Sequence, residues 1–151
     1  MKRILVTGAK GFIGKNLIVT LKRRGNVDVI EYDLDSPAGT LEEGLAKAEV
    51  IYHLAGVNRP ERVEEFTEGN LDLTQHICDA LRKLGRAPLC VLSSSCQASL
   101  DNPYGLSERR AEEAVFDFGK ETRASALFNQ DDLIALRTEK GVHRLIPGIT
   151  Q

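Results

Sequence analysis

Three glycines at three-residue intervals, Gly8, Gly11 and Gly14, join an apolar, β-branched run to a helical stripe. Residues 3–7 (RILVT) read as a strand buried on both faces. From Phe12 the apolar side chains fall at Ile13, Leu17, Ile18 and Leu21, and Gly25 supplies the stop. A strand that passes through glycines straight into a helix has few ways to fold. The turn must be tight, its backbone must allow something to approach closely, and the helix must pack hard against the strand. Free N–H groups at the helix start then meet an anion at the positive end of the helix dipole. A ligand-free βα turn satisfies the same pattern, so the glycines need a second signal. Asp33 supplies it, 19 residues beyond Gly14 (33 − 14) at the end of a second strand. Its carboxylate can accept hydrogen bonds from a ribose 2′-OH and repels a 2′-phosphate, which points to a dinucleotide and to NAD before NADP.

The rest of the chain alternates. Val27 to Tyr32 reads as the second strand, Leu41 to Lys47 as a short helix and Val50 to Leu54 as a third strand. Pro60 is placed to open a helix, and Leu71, Thr74, Ile77, Leu81 and Leu84 trace a helical face closed at Gly85. Leu89 to Leu92 is a fourth strand; Tyr104, Ala111, Val115 and Phe118 lie along the next helix. Such alternation predicts an α/β fold, a doubly wound parallel sheet of Rossmann type, with every strand's C-terminal end on one edge. Beyond about residue 122 the signals are local. Asp131 or Asp132 can cap a helix through Leu133, Leu136 and Arg137 to Gly141, and His143 to Ile146 reads as a short strand. The expected division is a dinucleotide-binding domain over 1–122 and a C-terminal extension over 123–151.

Composition narrows the function classes. The 151 residues suit one domain with a real core. A net charge of −2, with acids and bases interleaved, offers no electrostatic footprint for nucleic acid or an anionic membrane. No apolar run approaches the length of a membrane span, and the N-terminus enters a strand without a secretory leader, so a cytoplasmic protein is expected. Cys78, Cys90 and Cys96 are odd in number and lack CxxC spacing; His53, His76 and His143 lack metal-ligand spacing. Neither a disulfide framework nor a metal site is expected.

The glycine spacing, "HLAG" at 53–56, Asn70 within a helix, the serines Ser93-Ser94-Ser95 after a strand, and "PYG" at 103–105 occur in a telling order. Together they resemble the extended short-chain dehydrogenase/reductase family, the NAD-dependent epimerases and dehydratases of nucleotide sugars. "HLAGVNRP" at 53–60 and "LSSSCQASLDNPYG" at 92–105 are most similar to the bacterial capsule-polysaccharide reductases of UDP-2-acetamido-2,6-dideoxy-hexuloses. The resemblance implies that Phe12 and Ile13 lie under the pyrophosphate, that Leu54, Ala55 and Gly56 pass beneath the cofactor's ribose, and that Asn70 faces the cofactor. One serine of 93–95, Ser95 as first choice, would hydrogen-bond a sugar carbonyl, and Tyr104 would be the general acid during hydride transfer. It further implies a UDP-sugar substrate, a homodimer through the later helices, and NADPH as the cofactor associated with the capsule subgroup, against the NAD that Asp33 favours.

Three departures bear on chemistry. The family pattern is Tyr-x-x-x-Lys, with the lysine one turn from the tyrosine, holding the nicotinamide ribose and favouring tyrosinate. Glu108 stands in that place, where a carboxylate favours the neutral phenol; Arg109 is rotated about 100° round the helix. Second, the short stretch between Asp33 and "VIYHLAG" leaves no room for the family's next strand. Third, "RASALFNQDDLIALRTEKGVHRLIPGITQ" matches none of the family's continuation, through an altered reading frame or a divergent domain. Two functional readings therefore stand: a nucleotide-sugar oxidoreductase or epimerase present as its cofactor domain, and a non-catalytic dinucleotide- or partner-binding module. A flavodoxin-like or response-regulator-like signalling domain would give no reason for the glycine turn.

Overall fold

The computed structural model describes residues 1–57, 59–122, 126–130, 133–138 and 141–145. Its spine is a seven-stranded sheet in the order β2-β1-β3-β4-β5-β6-β7. The strands are β1 (Lys2–Thr7), β2 (Val27–Tyr32), β3 (Val50–His53), β4 (Leu89–Ser94), β5 (Ala126–Gln130), β6 (Leu133–Thr138) and β7 (Gly141–Leu145). The first five run parallel, and β6 and β7 close the sheet antiparallel. Between them lie α1 (Phe12–Arg23), α2 (Thr40–Lys47), α3 (Glu64–Phe66), a π-helical segment Thr67–Asp72, α4 (Leu73–Lys83), a 3-10 turn Cys96–Ser99 and α5 (Pro103–Thr122).

The two-residue period of β1 explains why helices cover both faces. Ile4 and Val6 point to one side, where they meet Ile18 and Leu21 of α1. Leu5 points to the other, where α2, α4 and α5 bring Leu45, Leu81, Ala111 and Phe118. Leu5, Leu45, Ile51 and Leu81 are fully enclosed. Burial of each such side chain stabilises the fold by about 1.5–3 kcal/mol. This is the expected doubly wound sheet.

From β2 the chain crosses through α2 to β3 on the far side of β1, and the described residues between hold no further strand. β2 is therefore an edge strand, as its spacing predicts. The reversal puts the topological switch point between the ends of β1 and β3, where an open α/β sheet has its natural crevice.

Two expectations are corrected, the helix after residue 131 and the helix start at Pro60. The helix expected from Asp131 or Asp132 to Gly141 is instead the strand β6, paired with β5 from Ala126–Arg137 to Gln130–Leu133 and with β7 from Ile134–Leu145 to Thr138–Gly141. Leu133, Leu136 and Arg137 fit a helical stripe, but six residues with Ile134 and Thr138 among them fit a strand equally well. Pairing on both sides then outweighs local preference. β5 joins β4 in parallel register, Cys90 opposite Ala126. The strand read at His143 to Ile146 is present as β7, although Ile146 lies outside the described residues. Pro60 opens no helix: α3 starts at Glu64, and the Glu61 N–H donates to Glu65 Oε2 at 3.1 Å.

Candidate dinucleotide cleft

The glycine turn divides its labour. Gly8 has φ +68°, and a Cβ there would stand 2.7 Å from the Ala55 nitrogen and 2.8 Å from the Leu54 carbonyl carbon. The loops after β1 and β3 touch backbone to backbone at the switch point. At Gly14 a Cβ would fall 2.2 Å from the Gly8 carbonyl oxygen, so helix and turn pack too closely for any side chain. Gly11 differs: its nearest neighbour would be the Gly8 oxygen at 3.2 Å, in an extended conformation open to any residue. Its free side faces the crevice. No side chain caps α1, so the N–H groups of its first turn are left to water or to an anion.

A cleft opens on each side of this turn. One, of about 390 Å³, runs past Phe12, Ile13 and Gly14 to Asn70, Thr74, Ser93, Ser94, Tyr104 and Glu108. The other, of about 660 Å³, runs past Tyr32, Asp33 and Leu34 to Glu65 and Glu68. Gly8, Gly11, Leu54, Ala55, Gly56 and Val57 line both. Two pockets flanking an uncapped helix start suit a molecule with two nucleoside ends and an anionic middle. Phe12 is 86 % exposed and Leu34 92 % exposed, leaving apolar surface at both mouths.

Asp33 is fixed by the turn itself. Its Oδ2 accepts from the Lys10 N–H at 2.8 Å, its Oδ1 from the Leu34 N–H at 2.9 Å, and its own N–H donates to Ser36 Oγ at 2.8 Å. The Lys10 ammonium pairs with Asp35, not Asp33; that hydrogen bond raises the Lys10 pKa and lowers that of Asp35.

Beneath the cleft floor lies a polar chain that sequence reasoning passed over. Thr7 and His53 are register partners across β1 and β3. Thr7 Oγ1 sits 2.7 Å from His53 Nδ1, and Thr74 Oγ1 sits 2.9 Å from Nε2. The Thr74 hydroxyl donates to the Asn70 carbonyl at 2.5 Å, so it must accept from Nε2–H. Nδ1 then accepts from the Thr7 hydroxyl, whose oxygen takes the Ala55 N–H at 3.2 Å. Every group is satisfied with neutral imidazole, and burial pushes the His53 pKa down to about 4. The unfolded chain, with an ordinary pKa near 6.5, binds this proton first as pH falls. The stabilisation is therefore complete above about pH 6.5 and lost as pH drops toward 4. Between pH 7.5 and 4.5 the native protein is expected to lose about 2–3 kcal/mol more stability than His53→Asn, by urea denaturation. Equal losses would remove His53 from the account.

Asn70 sits in the π-helical segment, and its amide is spoken for. Oδ1 accepts from the Val57 N–H at 2.7 Å, while Nδ2 donates to the Val57 carbonyl and to Ser107 Oγ, each at 3.0 Å. Ser107 in turn donates to the Tyr104 carbonyl at 2.7 Å. Asn70 thus clamps the loop after β3 and ties it to the first turn of α5. Tyr104 is half-buried and packs on Phe66 with ring centroids 5.3 Å apart. Glu108, one turn along the same helix, is 7 % exposed and faces the same cleft.

Of the sequence-predicted residues, Gly8, Gly11, Phe12, Ile13, Gly14, Leu54, Ala55, Gly56, Asn70 and Tyr104 come together along the first cleft and Asp33 along the second. Ser95 stands apart. Its Oγ accepts from the Gln97 N–H at 3.2 Å and caps the 3-10 turn, whereas Ser93 and Ser94 line the cleft. Ser94 Oγ donates to Glu112 Oε1 at 2.5 Å. Residues missed from sequence are Thr7, His53, Thr74 and Ser107, together with Glu65 and Glu68. The available signal was a polar residue, Thr7 or His53, closing the buried run of each of two strands.

Residues 4–128 match the model of the NAD dependent epimerase/dehydratase family, most of the chain. The chain belongs to that family. Within it, the sequence is 47 % identical over 119 residues to the UDP-2-acetamido-2,6-beta-L-arabino-hexul-4-ose reductase of Pseudomonas aeruginosa, covering 79 % of this chain and 32 % of the relative. The capsular polysaccharide assembling protein CapF from Staphylococcus aureus superposes with a TM-score of 0.72 at 39 % identity, over 84 % of this chain and 34 % of that one. A UDP-glucuronic acid 4-epimerase from Bacillus cereus, solved in complex with NAD, shares the fold: TM-score 0.73 at 18 % identity, over 85 % of this chain and 55 % of that one. This chain spans about a third of the length of the first two relatives.

Proposed function

We propose that this chain binds NAD(H) across the two clefts and is the cofactor-binding portion of a nucleotide-sugar oxidoreductase. Its substrate class would be the UDP-2-acetamido-2,6-dideoxy-hexuloses of capsule or surface polysaccharide synthesis. The observation that carries the reading is the open face of Gly11, with a carboxylate-lined cleft on one side and Tyr104 on the other. In this reading the pyrophosphate lies on Gly11, Phe12 and Ile13, Asp33 accepts from the adenosine ribose, and the second ribose rests over Leu54, Ala55 and Gly56. Asn70 holds that floor in place. Tyr104 protonates the sugar carbonyl, with a serine of 93–95 as its partner. The name of the 47 % identical relative supports the substrate class, and that of CapF supports the capsule setting. A dinucleotide-binding domain over 1–122 with a C-terminal extension over 123–151 stays part of this proposal. Action in the cytoplasm belongs to the same proposal. Among the described residues no helix is long and apolar enough to cross a membrane.

The test is calorimetric titration with all four dinucleotides. Asp33, Glu65 and Glu68 line one cleft, so a 2′-phosphate entering it meets three carboxylates. NAD(H) is expected to bind at least about tenfold tighter than NADP(H). Tighter NADP(H) binding would remove Asp33 as the discriminator, and no binding of any form would sink the function. A homodimer through α4 and α5 belongs to the same proposal and rests on family analogy; a monomeric mass by light scattering at high concentration would remove it.

The second reading, a module that binds without turnover, is favoured by one observation: the buried carboxylate of Glu108 one turn from Tyr104.

A further inference from the structure

We infer that Asp35 is a positioning residue for cofactor choice: it holds the Lys10 ammonium away from the 2′-phosphate that distinguishes NADP(H) from NAD(H). The inference rests on the dinucleotide reading above, which puts the adenosine ribose beside Asp33. Lys10 lies in the glycine turn between Gly8 and Gly11, and its N–H donates to Asp33 Oδ2 at 2.8 Å. The turn is also tied to the end of β2, where the Ala9 N–H donates to the Tyr32 carbonyl at 3.1 Å. A ribose whose hydroxyls meet Asp33 therefore lies close to residue 10, within the sweep of a flexible lysine stem. A cation at that place is what a 2′-phosphate needs.

Here that cation is committed elsewhere. The chain reverses after Asp33: the Ser36 N–H donates to the Asp33 carbonyl at 3.0 Å, and the Asp33 N–H to Ser36 Oγ at 2.8 Å. The reversal carries Asp35 to the glycine turn, where its Oδ2 accepts from Lys10 Nζ. Their hydrogen bond raises the Lys10 pKa and lowers that of Asp35, so both are charged at neutral pH. Arg62 is held in the same way, by Glu65 at 3.2 Å and Glu68 at 3.7 Å, two residues of the cleft wall. A 2′-phosphate would have to displace Asp35 to reach Lys10, and would then stand beside the displaced carboxylate. NAD(H) has a neutral hydroxyl at that position, so its binding is indifferent to which partner Lys10 takes. Asp33 and Asp35 thus differ in kind: the first meets the ribose, and the second acts through Lys10. Both members of the pair are exposed, so it adds little to stability and its variants should fold.

The experiment is calorimetric titration of the full chain with NAD⁺ and with NADP⁺. The proteins are wild type, Asp35→Asn, Asp35→Glu, and Asp35→Asn combined with Lys10→Gln. Asp35→Asn should tighten NADP⁺ binding by at least about fivefold, the worth of one close charge contact in water, and leave NAD⁺ within about twofold of wild type. Asp35→Glu keeps the carboxylate and should keep the wild-type ratio. Adding Lys10→Gln to Asp35→Asn should abolish the gain, since no ammonium is left to release. No gain from Asp35→Asn, or a gain that persists without Lys10, overturns the inference while leaving NAD binding intact. So does a wild type that prefers NADP⁺, because Lys10 would then serve the phosphate despite Asp35. Failure of wild type to bind either dinucleotide overturns the function and this inference with it.

Discussion

Replacing Gly11 by leucine is expected to abolish dinucleotide binding in a chain that still folds, while Gly14→Ala is expected to damage the fold itself. The two glycines sit in one turn and look equivalent in sequence, yet their surroundings differ. Gly11 has φ −68° and ψ 168°, a conformation any residue adopts, and the nearest atom to an added Cβ is 3.2 Å away. A leucine side chain there projects into the space where the pyrophosphate would lie against the uncapped start of α1. The Gly8 carbonyl oxygen must give by a few tenths of an ångström to admit that Cβ, so stability should fall by about 1–2 kcal/mol, well short of unfolding the chain. Titration with NAD⁺ should show no binding. At Gly14 the added Cβ would lie 2.2 Å from the Gly8 carbonyl oxygen, backbone against backbone, with no flexible side chain to yield. Overpacking of this kind costs about 3 kcal/mol or more, because helix and turn must separate. If Gly11→Leu bound NAD⁺ normally, the pyrophosphate would not lie on this turn, and the assignment of both clefts would fall together.

This asymmetry shows what the sequence could and could not disclose. The turn was legible because strand period, glycine spacing, helix stripe and Asp33 each constrain the same few residues. The missing strand after β2 was legible too, from chain length alone. The role of Asn70 was half legible. Its position on a helix beside the cleft could be inferred from resemblance, but its amide clamp on Val57 needs the π-helical segment, and no residue type announces a π-helix. Among the three serines, strand alternation and the 3-10 turn decide which hydroxyl meets the cleft and which caps a backbone N–H. Consecutive identical residues carry no such information. The Leu133–Thr138 strand was misread because six residues support either period, and the deciding term, pairing with β5 and β7, is nonlocal. The buried role of His53 is not legible, since a lone histidine at a strand end gives no sign of the threonines that satisfy it.

Tyr104→Phe is expected to change the rate of keto-sugar reduction by less than about tenfold in this chain, and by about 10²–10⁴ when Glu108 is first replaced by lysine. The argument is one of coupling between two positions on one helix face. Tyr104 and Glu108 lie four residues apart on α5 and both line the cleft. General acid–base help is worth about 10²–10⁴ in rate, but only when the proton donor's charge state suits the step. An ammonium one turn away stabilises the phenolate left when Tyr104 gives its proton to the carbonyl; a carboxylate opposes that same charge. With Glu108 in place the phenol should contribute little, so its removal should cost little. The measurement is a double-mutant cycle: single-turnover oxidation of bound NADH by a UDP-4-keto-6-deoxy-N-acetylhexosamine, in wild type, Tyr104→Phe, Glu108→Lys and the double variant. Single-turnover conditions with saturating sugar separate the chemical step from cofactor affinity. A wild-type chain that reduces the sugar rapidly and loses more than a hundredfold with Tyr104→Phe would show that Tyr104 works beside a carboxylate. Glu108 would then be a functioning replacement for the lysine, and the reading of this chain as a binding module without turnover would be wrong.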